Sequence, residues 1–252
     1  MIRGAATLAC ALAWSIPAAA MVGGAQPADD GAGRAAVMLT GSHGTFCSGV
    51  ALARDLVLTA AHCVLPGADY KLIELGAGRQ PVLKDLSTIA RHPEFDVNAV
   101  LRHRVTADVA LLKLAAPLKI VPAPLAPPGG SVAVGDRFVV AGYGLTVRGD
   151  GKTGGTVRAA ALVATGQPGT LQIRLADPAT MGERAGLGAC TGDSGAPVFR
   201  DIGGALTVTG VVSWSTGPGN SEGCGGLTGV TPLARYRDWI IQQAAKMRSP
   251  LQ

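Results

Sequence analysis

Charged and aromatic residues are scarce in this chain of 252 residues, at 15% and 4% of the sequence, and the formal net charge is only +5. No run of basic residues stands out, so the small positive excess is typical of a solvated surface and not of a nucleic-acid site. Beyond residue 20, no apolar stretch is long enough to span a membrane. We therefore expect neither a nucleic-acid partner nor a membrane anchor.

Sustained helical periodicity is missing from most of the chain. Glycine (36 residues) and proline (16 residues) are abundant and separate short apolar runs of strand length. The predicted strands are 35–39, 49–52, 56–59, 71–75, 81–86, 137–141, 157–163, 170–175, 196–199 and 206–214. Helical spacing is found at 233–247, where apolar residues follow Pro232. These features predict an all-β protein with one C-terminal helix.

The few cysteines carry more information than their number suggests. Cys10 falls within the first 20 residues, and an even number remains after it: Cys47, Cys63, Cys190 and Cys224. An even number in a secreted chain indicates disulfides in an oxidising compartment. No two of them are spaced as Cys-x-x-Cys, which argues against zinc, and the acids Glu74 and Asp85 are too isolated for calcium. We therefore expect no metal and no cofactor.

The first 20 residues have the pattern of a secretory signal peptide. Arg3 supplies the positive start, residues 5–16 form the apolar core, and the alanines at 18–20 fit the small-residue cleavage rule. The core is too short for a permanent membrane helix, and the residues before Cys10 do not form a lipid-acylation motif. The mature chain is thus expected to be secreted, into the periplasm or the extracellular medium.

One stretch, 190–199, combines a hydroxyl group with glycines and an apolar segment. It reads Cys-Thr-Gly-Asp-Ser-Gly-Ala-Pro-Val-Phe, so that Gly192 and Gly195 flank Asp193 and Ser194. Glycines this close to a hydroxyl permit unusual backbone angles and the close approach of another molecule. Ser194 could attack a carbonyl if a base takes its proton and if donors such as the N–H groups of Gly192 and Ser194 stabilise the oxyanion. A glycine-rich surface turn is the alternative.

A base and an orienting acid are both present elsewhere. His62, within Thr-Ala-Ala-His-Cys, follows the apolar run 56–58, and Asp108 opens the apolar segment 109–114. The order His, Asp, Ser with these local motifs resembles the chymotrypsin/trypsin family of secreted serine proteases, over about residues 21–240. The remaining histidines are interpreted as structural or solvated: His43, His92 and His103.

The resemblance implies two antiparallel β-barrels with the active site between them and a C-terminal α-helix. The proline-rich stretch 121–130 is the best candidate for the linker between the two halves. Three parts are predicted: a signal peptide (1–20), an N-terminal barrel (21–125), and a C-terminal barrel with the terminal helix (126–252). The two barrels and the helix together form one peptidase domain.

The resemblance also implies the role of each motif residue. Ser194 is the nucleophile, His62 the general base, and Asp108 the acid that orients the imidazole. Ser213 is expected to hydrogen-bond that acid, and the N–H groups of Gly192 and Ser194 are expected to form the oxyanion hole. The family's cysteine pattern implies two disulfides, Cys47–Cys63 and Cys190–Cys224.

Residues Met21-Val22-Gly23-Gly24 resemble the family's activated N-terminus. There, a newly freed amino group pairs with the acid before the nucleophile, here Asp193, and a buried carboxylate needs such a partner. Met21 stands where isoleucine is usual, and no propeptide separates it from the leader. We expect signal peptidase itself to create the active end, so that no zymogen exists. The alternative is that residues 21–24 are an ordinary linker.

The expected substrate-binding residues are Gly188, Ser213, Trp214, Ser215, Gly226 and Thr228. Gly188 stands at the usual floor of the pocket and carries no carboxylate, so selection for Lys or Arg is not supported. Ser215 stands where the family commonly has a glycine, and its side chain is expected to narrow the entrance of the pocket. The sequence leaves open which residue of the opposite wall faces into the pocket. An inward-facing Thr228 favours small substrate residues, as in elastase-like members, whereas an inward-facing Gly226 admits a larger one. We expect a small or medium apolar residue before the scissile bond.

A catalytically weak binding protein on the protease fold is the competing hypothesis. Such proteins typically lack a residue of the triad, which this sequence keeps, but the Met21 start and Ser215 could leave the site poorly formed. A hydrolase of another ester or amide is a third hypothesis, because the same acyl transfer serves both, although the expected substrate-pairing strand favours peptides. The expected partners are polypeptide substrates and protein inhibitors, and the expected state is a monomer.

Overall fold

The computed structural model describes residues 21–29, 31–76, 78, 80–102, 104–166 and 171–251. The predicted leader and His103 lie outside the described residues. The strands are β1 (Gln26–Pro27), β2 (Ala36–Gly41), β3 (Phe46–Ala53), β4 (Leu56–Thr59), β5 (Tyr70–Leu75), β6 (Pro81–Arg91), β7 (Ala110–Leu114), β8 (Arg137–Gly142), β9 (Arg158–Ala164), β10 (Ile173–Ala176), β11 (Pro197–Ile202), β12 (Ala205–Ser215) and β13 (Thr228–Pro232). The α-helices are α1 (Val97–Leu101) and α2 (Arg237–Lys246). Neither of these helices has the length and apolar character needed to cross a membrane.

Six antiparallel strands close into the first barrel, in the order β2-β3-β4-β7-β6-β5. The sequence of β4, Leu-Val-Leu-Thr, is apolar without alternation, and all four residues are buried. Val57 packs with Leu39 and Leu72 in one core cluster, whereas Leu56 and Leu58 belong to another. Because successive side chains of a strand point to opposite faces, a strand buried on both faces needs a continuous apolar run.

The second barrel closes in the order β8-β9-β10-β13-β12-β11, with β8 paired to both β9 and β11. β1 is added beside β9, where Gln26 pairs with Ala159. Phe138, Leu162 and Leu175 are buried in the core of this barrel. Two closed six-stranded barrels followed by a C-terminal helix confirm the predicted fold class.

A shared apolar cluster joins the two barrels and the C-terminal helix. It contains Leu56 and Leu111 from the first barrel, Phe199 from the second, and Ile240 from α2, all of them buried. Complete burial of one such side chain contributes roughly 1.5–3 kcal/mol. The barrels are therefore held together by a common core, and α2 packs against both of them.

The two ends of the described chain each pack on the opposite barrel. The N-terminal segment precedes the first barrel but packs on the second, and the segment after α2 follows the second barrel but packs on the first. β1 lies close to the N-terminus, ahead of the first barrel, yet pairs with β9 of the second barrel. Ser249 follows α2, yet its Oγ donates a hydrogen bond at 2.6 Å to Asp55 Oδ1 of the first barrel. Lys113 Nζ of β7 lies 2.5 Å from the other oxygen of Asp55. The predicted division at residue 125 falls in the segment between β7 and β8 and stays a prediction.

Candidate active site

His62 and Asp108 meet because β4 and β7 are antiparallel neighbours. Thr59, at the end of β4, pairs with Ala110, at the start of β7, so the residues just beyond them lie at the same edge of the barrel. His62 Nδ1 lies 2.8 Å from Asp108 Oδ2, and the main-chain N–H of His62 donates to Oδ1 at 2.9 Å. Asp108 is fully buried, whereas 20% of the His62 side chain is exposed.

Asp108 remains a carboxylate in spite of its burial. Burial acts to raise the pKa of this carboxyl, but the neighbouring His62 and the hydrogen bonds from His62 and Ser213 outweigh that effect and hold the pKa below its ordinary value. Ser213 Oγ, on β12, donates to Asp108 Oδ2 at 2.5 Å. The second barrel thus helps to hold an acid that the first barrel carries.

The turn that carries Ser194 requires its glycines. Gly192 has a φ of +95° and Gly195 a φ of +78°, both in the left-handed region. A Cβ atom on Gly192 would lie 2.6 Å from the ring of Phe46, and one on Gly195 would lie 2.1 Å from Thr59 Oγ1. The turn is therefore packed tightly against β3 and β4 of the first barrel.

The N–H group of Gly192 is fixed in direction, and no acceptor for it lies among the described residues. The Thr191 carbonyl of the same peptide group accepts a hydrogen bond from the Leu145 N–H at 2.8 Å. Because the N–H and C=O of a trans peptide point in opposite directions, this bond also orients the Gly192 N–H. In the described part of the chain, that N–H donates to no protein group.

The N–H group of Ser194 is held in the same way. The Asp193 carbonyl of its peptide group accepts from the Ala196 N–H at 2.9 Å, and among the described residues the Ser194 N–H has no acceptor. Two fixed and unpaired donors in one short turn suit the binding of an oxygen that becomes negatively charged.

His62, Gly192 and Ser194 line one cavity of about 360 Å³. Trp214 and Ser215 of β12 belong to its walls as well. Within the residues described, Ser194 Oγ makes no hydrogen bond with the ring of His62. Such contacts are commonly long without a ligand and tighten when substrate binds. The cavity therefore brings together the predicted hydroxyl and the predicted base.

Asp193 is a carboxylic acid buried without a cation. Its Oδ1 accepts from the Gly144 N–H and its Oδ2 from the Cys190 N–H, both at 2.9 Å. A Cβ atom on Gly142 would lie 2.1 Å from Oδ1, so the glycine makes room for the carboxyl group. Burial raises the pKa of Asp193 to about 7, against the effect of the two hydrogen bonds. No cationic group of the described residues offsets this burial.

The segment at the predicted mature start is folded into the second barrel. Met21 is fully buried in the same core cluster as Ala189 and Ala196, which flank the turn of Ser194. Val22 forms an isolated antiparallel bridge with Gly188. The predicted pairing of the Met21 amino group with Asp193 stays a prediction, since Met21 is joined here to the residue before it.

Thr228 contacts the segment that the sequence places at the pocket floor. Its Oγ1 accepts from the Ala189 N–H at 3.0 Å, and the residue is fully buried. Ser215 is its partner across the β12–β13 pair. A Cβ atom on Gly226 would lie 2.0 Å from the carbonyl oxygen of Gly217, so this glycine serves the close approach of two backbones.

The predicted substrate-binding residues divide into two groups. Trp214 and Ser215 line the cavity that contains Ser194, whereas Gly188, Ser213, Gly226 and Thr228 do not belong to its lining. The cavity beside Ser194 is thus bounded by β12 and Cys190, and Thr228 is linked to its wall through Ala189, the residue before Cys190.

Comparison with known proteins agrees with this arrangement. The family model for trypsin matches residues 22–240. The chain belongs to the trypsin family. Its relatives include a vitellin-degrading protease of Bombyx mori, which is 29% identical over 229 residues, or 84% of this chain and 80% of that protein. The family predicted from the motifs is therefore confirmed.

Two further relatives of this trypsin-family chain show the same level of similarity. Coagulation factor IX of Cavia porcellus is 28% identical over 232 residues, or 81% of this chain and 74% of that protein. A trypsin of Phaedon cochleariae is 25% identical over 222 residues, or 79% of this chain and 78% of that protein. Identities of this size leave the activity of the trypsin-family chain to be argued from its own residues.

The trypsin-family chain contains both disulfides implied by the family pattern, Cys47–Cys63 and Cys190–Cys224. Among the described residues, Cys47, His62 and Cys63 also form the one group close enough together to hold a metal ion. Because both sulfur atoms are joined in the disulfide, neither can act as a thiolate ligand. His62 Nε2 lies 3.8 Å from Cys63 Sγ, beside a closed disulfide.

Sequence reasoning misses two residues that hold the turn of Ser194. Leu145 acts through its main-chain N–H, which no side-chain motif can reveal. Ser48 hydrogen-bonds the turn from β3. Leu145 follows Gly144 and Ser48 follows the predicted disulfide residue Cys47, but neither side chain carries a signal of its own.

Proposed function

We propose that this trypsin-family chain is a secreted serine endopeptidase that cleaves polypeptides through an acyl-enzyme. The observation that carries the proposal is the 2.8 Å contact between Asp108 and His62, beside the cavity that His62 shares with Ser194. The N–H groups of Gly192 and Ser194, which have no acceptor within the described ranges, support it, because acyl transfer needs donors for the developing oxyanion.

In the proposed mechanism, Ser194 Oγ attacks the peptide carbonyl carbon while its proton passes to His62 Nε2. Asp108 keeps the neutral ring in the Nδ1–H tautomer and stabilises the imidazolium that forms. The carbonyl oxygen takes the negative charge and accepts from the N–H groups of Gly192 and Ser194. Loss of one such donor typically costs about 3–4 kcal/mol of transition-state stabilisation.

The second half of the cycle uses the same groups. His62 gives its proton to the leaving nitrogen, the C–N bond breaks, and the acyl group stays on Ser194 as an ester. Water then attacks that ester as His62 takes its proton. The ester C–O bond breaks, His62 returns the proton to Ser194 Oγ, and the carboxylic acid product leaves.

We propose a preference for a small or medium apolar residue before the scissile bond. Thr228 Oγ1 accepts from the N–H of Ala189, the residue before Cys190 in the cavity wall, which supports a Thr228 side chain that limits the size of the substrate residue. Gly188 and Ala189 add no charge there, which supports an apolar substrate residue. Protein inhibitors that offer a loop to the same cavity are proposed as partners of a monomeric enzyme.

We further propose that removal of residues 1–20 both secretes and activates the enzyme. Two disulfides support an oxidising compartment. A new amino group on Met21 would supply the cation that the buried Asp193 needs. The burial of Met21 in the same barrel supports this arrangement.

Labelling with a fluorophosphonate probe tests the proposed function. We expect the secreted protein to be labelled and to cleave alanine-ending chromogenic peptides, and Ser194→Ala to do neither while melting at the same temperature. A folded protein that starts at Met21 and is not labelled would favour the binding-protein hypothesis. Labelling with hydrolysis of esters but of no peptide would favour the third hypothesis.

A further inference from the structure

We infer that Ser48, on the first barrel, is a positioning residue for the oxyanion-binding turn of the second barrel. The inference rests on the proposed function, because it gives Ser48 a part in the same reaction. Ser48 lies on β3 and is fully buried, so its hydroxyl has no contact with solvent. A buried hydroxyl is costly unless its hydrogen bonds are made.

The hydrogen bonds of Ser48 converge on the turn of Ser194. Its Oγ donates to the Gly192 carbonyl at 2.9 Å and accepts from the Tyr143 N–H at 3.0 Å. Its main-chain N–H donates to the Ser194 carbonyl at 2.8 Å. Ser48 thus holds the carbonyl group of each residue whose N–H is a proposed oxyanion donor.

Gly192 depends on such contacts for its conformation. Having no Cβ, it has little conformational preference of its own, and the peptide groups on both sides can rotate. The peptide before it is held by Leu145. The peptide after it is held at its carbonyl by Ser48 Oγ and at its N–H by the Cys190 carbonyl, at 3.0 Å. Fixing both peptides fixes φ and ψ of Gly192, and with them the orientation of its N–H relative to Asp193 and Ser194.

The hydroxyl of Ser48 is the part of this arrangement that a substitution can remove cleanly. Ser48→Ala keeps the main-chain hydrogen bond to Ser194 but removes both the donor to the buried Gly192 carbonyl and the hydroxyl that accepts from the Tyr143 N–H. A buried carbonyl that loses its donor favours rotation of its peptide toward another one. Such a rotation would change ψ of Gly192 and φ of Asp193, and so displace the Gly192 N–H, then held by the Leu145 contact alone, relative to Ser194. The oxyanion would then lose a donor, while substrate binding elsewhere would remain.

The test compares Ser48→Ala with Val50→Ala, a buried position on the same strand that belongs to the shared apolar cluster. For each variant, kcat, KM, the melting temperature and the inhibition constant of a peptide aldehyde are measured, because the aldehyde adduct carries the oxyanion. We expect Ser48→Ala to lower kcat by about 10- to 100-fold, which is at most the effect of removing one oxyanion donor completely. Its KM should stay within about twofold and its aldehyde affinity should fall with kcat, a pattern that reports transition-state binding. Val50→Ala should lower the melting temperature and leave kcat within about twofold, as a cavity in the core would.

If the wild-type protein is active, two outcomes would overturn the inference. One is a Ser48→Ala protein with a lower melting temperature but with kcat and aldehyde affinity close to wild type, which would make the role purely structural. The other is a folded Ser48→Thr protein, which keeps the hydroxyl, with a loss as large as that of Ser48→Ala. An inactive wild-type protein would instead contradict the proposed function. In that case the crystal structure of Ser48→Ala decides, because an unmoved Gly192 carbonyl would overturn the inference and a rotated one would support it.

Discussion

Ser213 Oγ and His62 Nδ1 share a single oxygen atom of Asp108, at 2.5 and 2.8 Å from Oδ2. The other oxygen, Oδ1, is occupied by the main-chain N–H of His62 at 2.9 Å. When His62 carries its proton on Nδ1, each of these three groups donates a hydrogen bond to the carboxylate. A side chain with a hydrogen-bond donor in place of either oxygen cannot accept all three of these hydrogen bonds.

Asp108→Asn should therefore lock His62 in the wrong tautomer. The main-chain N–H of His62 requires an acceptor, so the amide oxygen must occupy the Oδ1 position and the NH₂ group must face Nδ1. The ring then carries its proton on Nε2 and cannot accept one from Ser194. We expect kcat/KM to fall by about 10⁴-fold with little change in the melting temperature, as measured by steady-state kinetics on a chromogenic peptide.

Ser213→Ala is the matched control for that variant. It removes one hydrogen bond from the same oxygen without changing the tautomer, so a loss of about tenfold or less is expected. Equal losses in the two variants, or a loss of only a few fold in Asp108→Asn, would contradict the role proposed for Asp108.

Thr228→Gly should enlarge the space for the substrate side chain. The change removes the side chain that contacts the Ala189 N–H, so the ratio of kcat/KM for a phenylalanine-ending peptide to that for an alanine-ending one should rise by about 10-fold or more. Thr231→Ala, on the opposite face of β13, is the control and should leave the ratio unchanged. A ratio that Thr228→Gly does not alter would show that Thr228 does not bound the pocket.

The start of the chain should control how stability depends on pH. With residues retained before Met21, the pKa of Asp193 is raised to about 7, whereas its value in the unfolded chain is near 3.9. Between about pH 4 and 7 the folded state then binds more protons than the unfolded state. The free energy of unfolding should therefore fall as the pH rises through this range, by on the order of 4 kcal/mol, and level off above it.

Urea unfolding of two proteins tests this dependence, one starting at Met21 and one with Gly-Ser added before it. We expect the loss of stability between pH 4.5 and 7.5 only in the extended protein, together with weak activity, because its Asp193 has no amino group to pair with. Asp193→Asn in the extended protein should flatten the slope. Parallel pH profiles for both starts, or N-terminal sequencing that finds a secreted start other than Met21, would refute the proposed activation.

The sequence predicted the family and both barrels because their signals are local. The motifs around His62, Asp108 and Ser194 each occupy a few consecutive residues, and the strands of both barrels are short apolar runs between glycines and prolines. The meeting of His62 with Asp108 follows from the pairing of β4 with β7, which the family resemblance implied but no local pattern contained.

Features created by contacts between distant strands could not be predicted. β13 has the sequence Thr-Gly-Val-Thr-Pro, without an apolar run, yet all five residues are buried by their neighbours. Its Gly229 is needed because the ring of Trp214 lies 2.0 Å from where a Cβ would be. No sequence pattern indicates the role of Ser48 either, since its hydrogen-bond partner Gly192 is 144 residues away in the sequence.

The exchange of chain ends between the barrels has a consequence for how the site is held. His62 lies on one barrel and Ser194 on the other, so their separation depends on what prevents the barrels from sliding or hinging. In the described chain, the linker is one of three connections between the barrels. At one end β1 pairs with the second barrel, and at the other end Ser249 donates a hydrogen bond to Asp55 of the first barrel. A polypeptide interlocked in this way would keep its two halves in register even if the linker were cut.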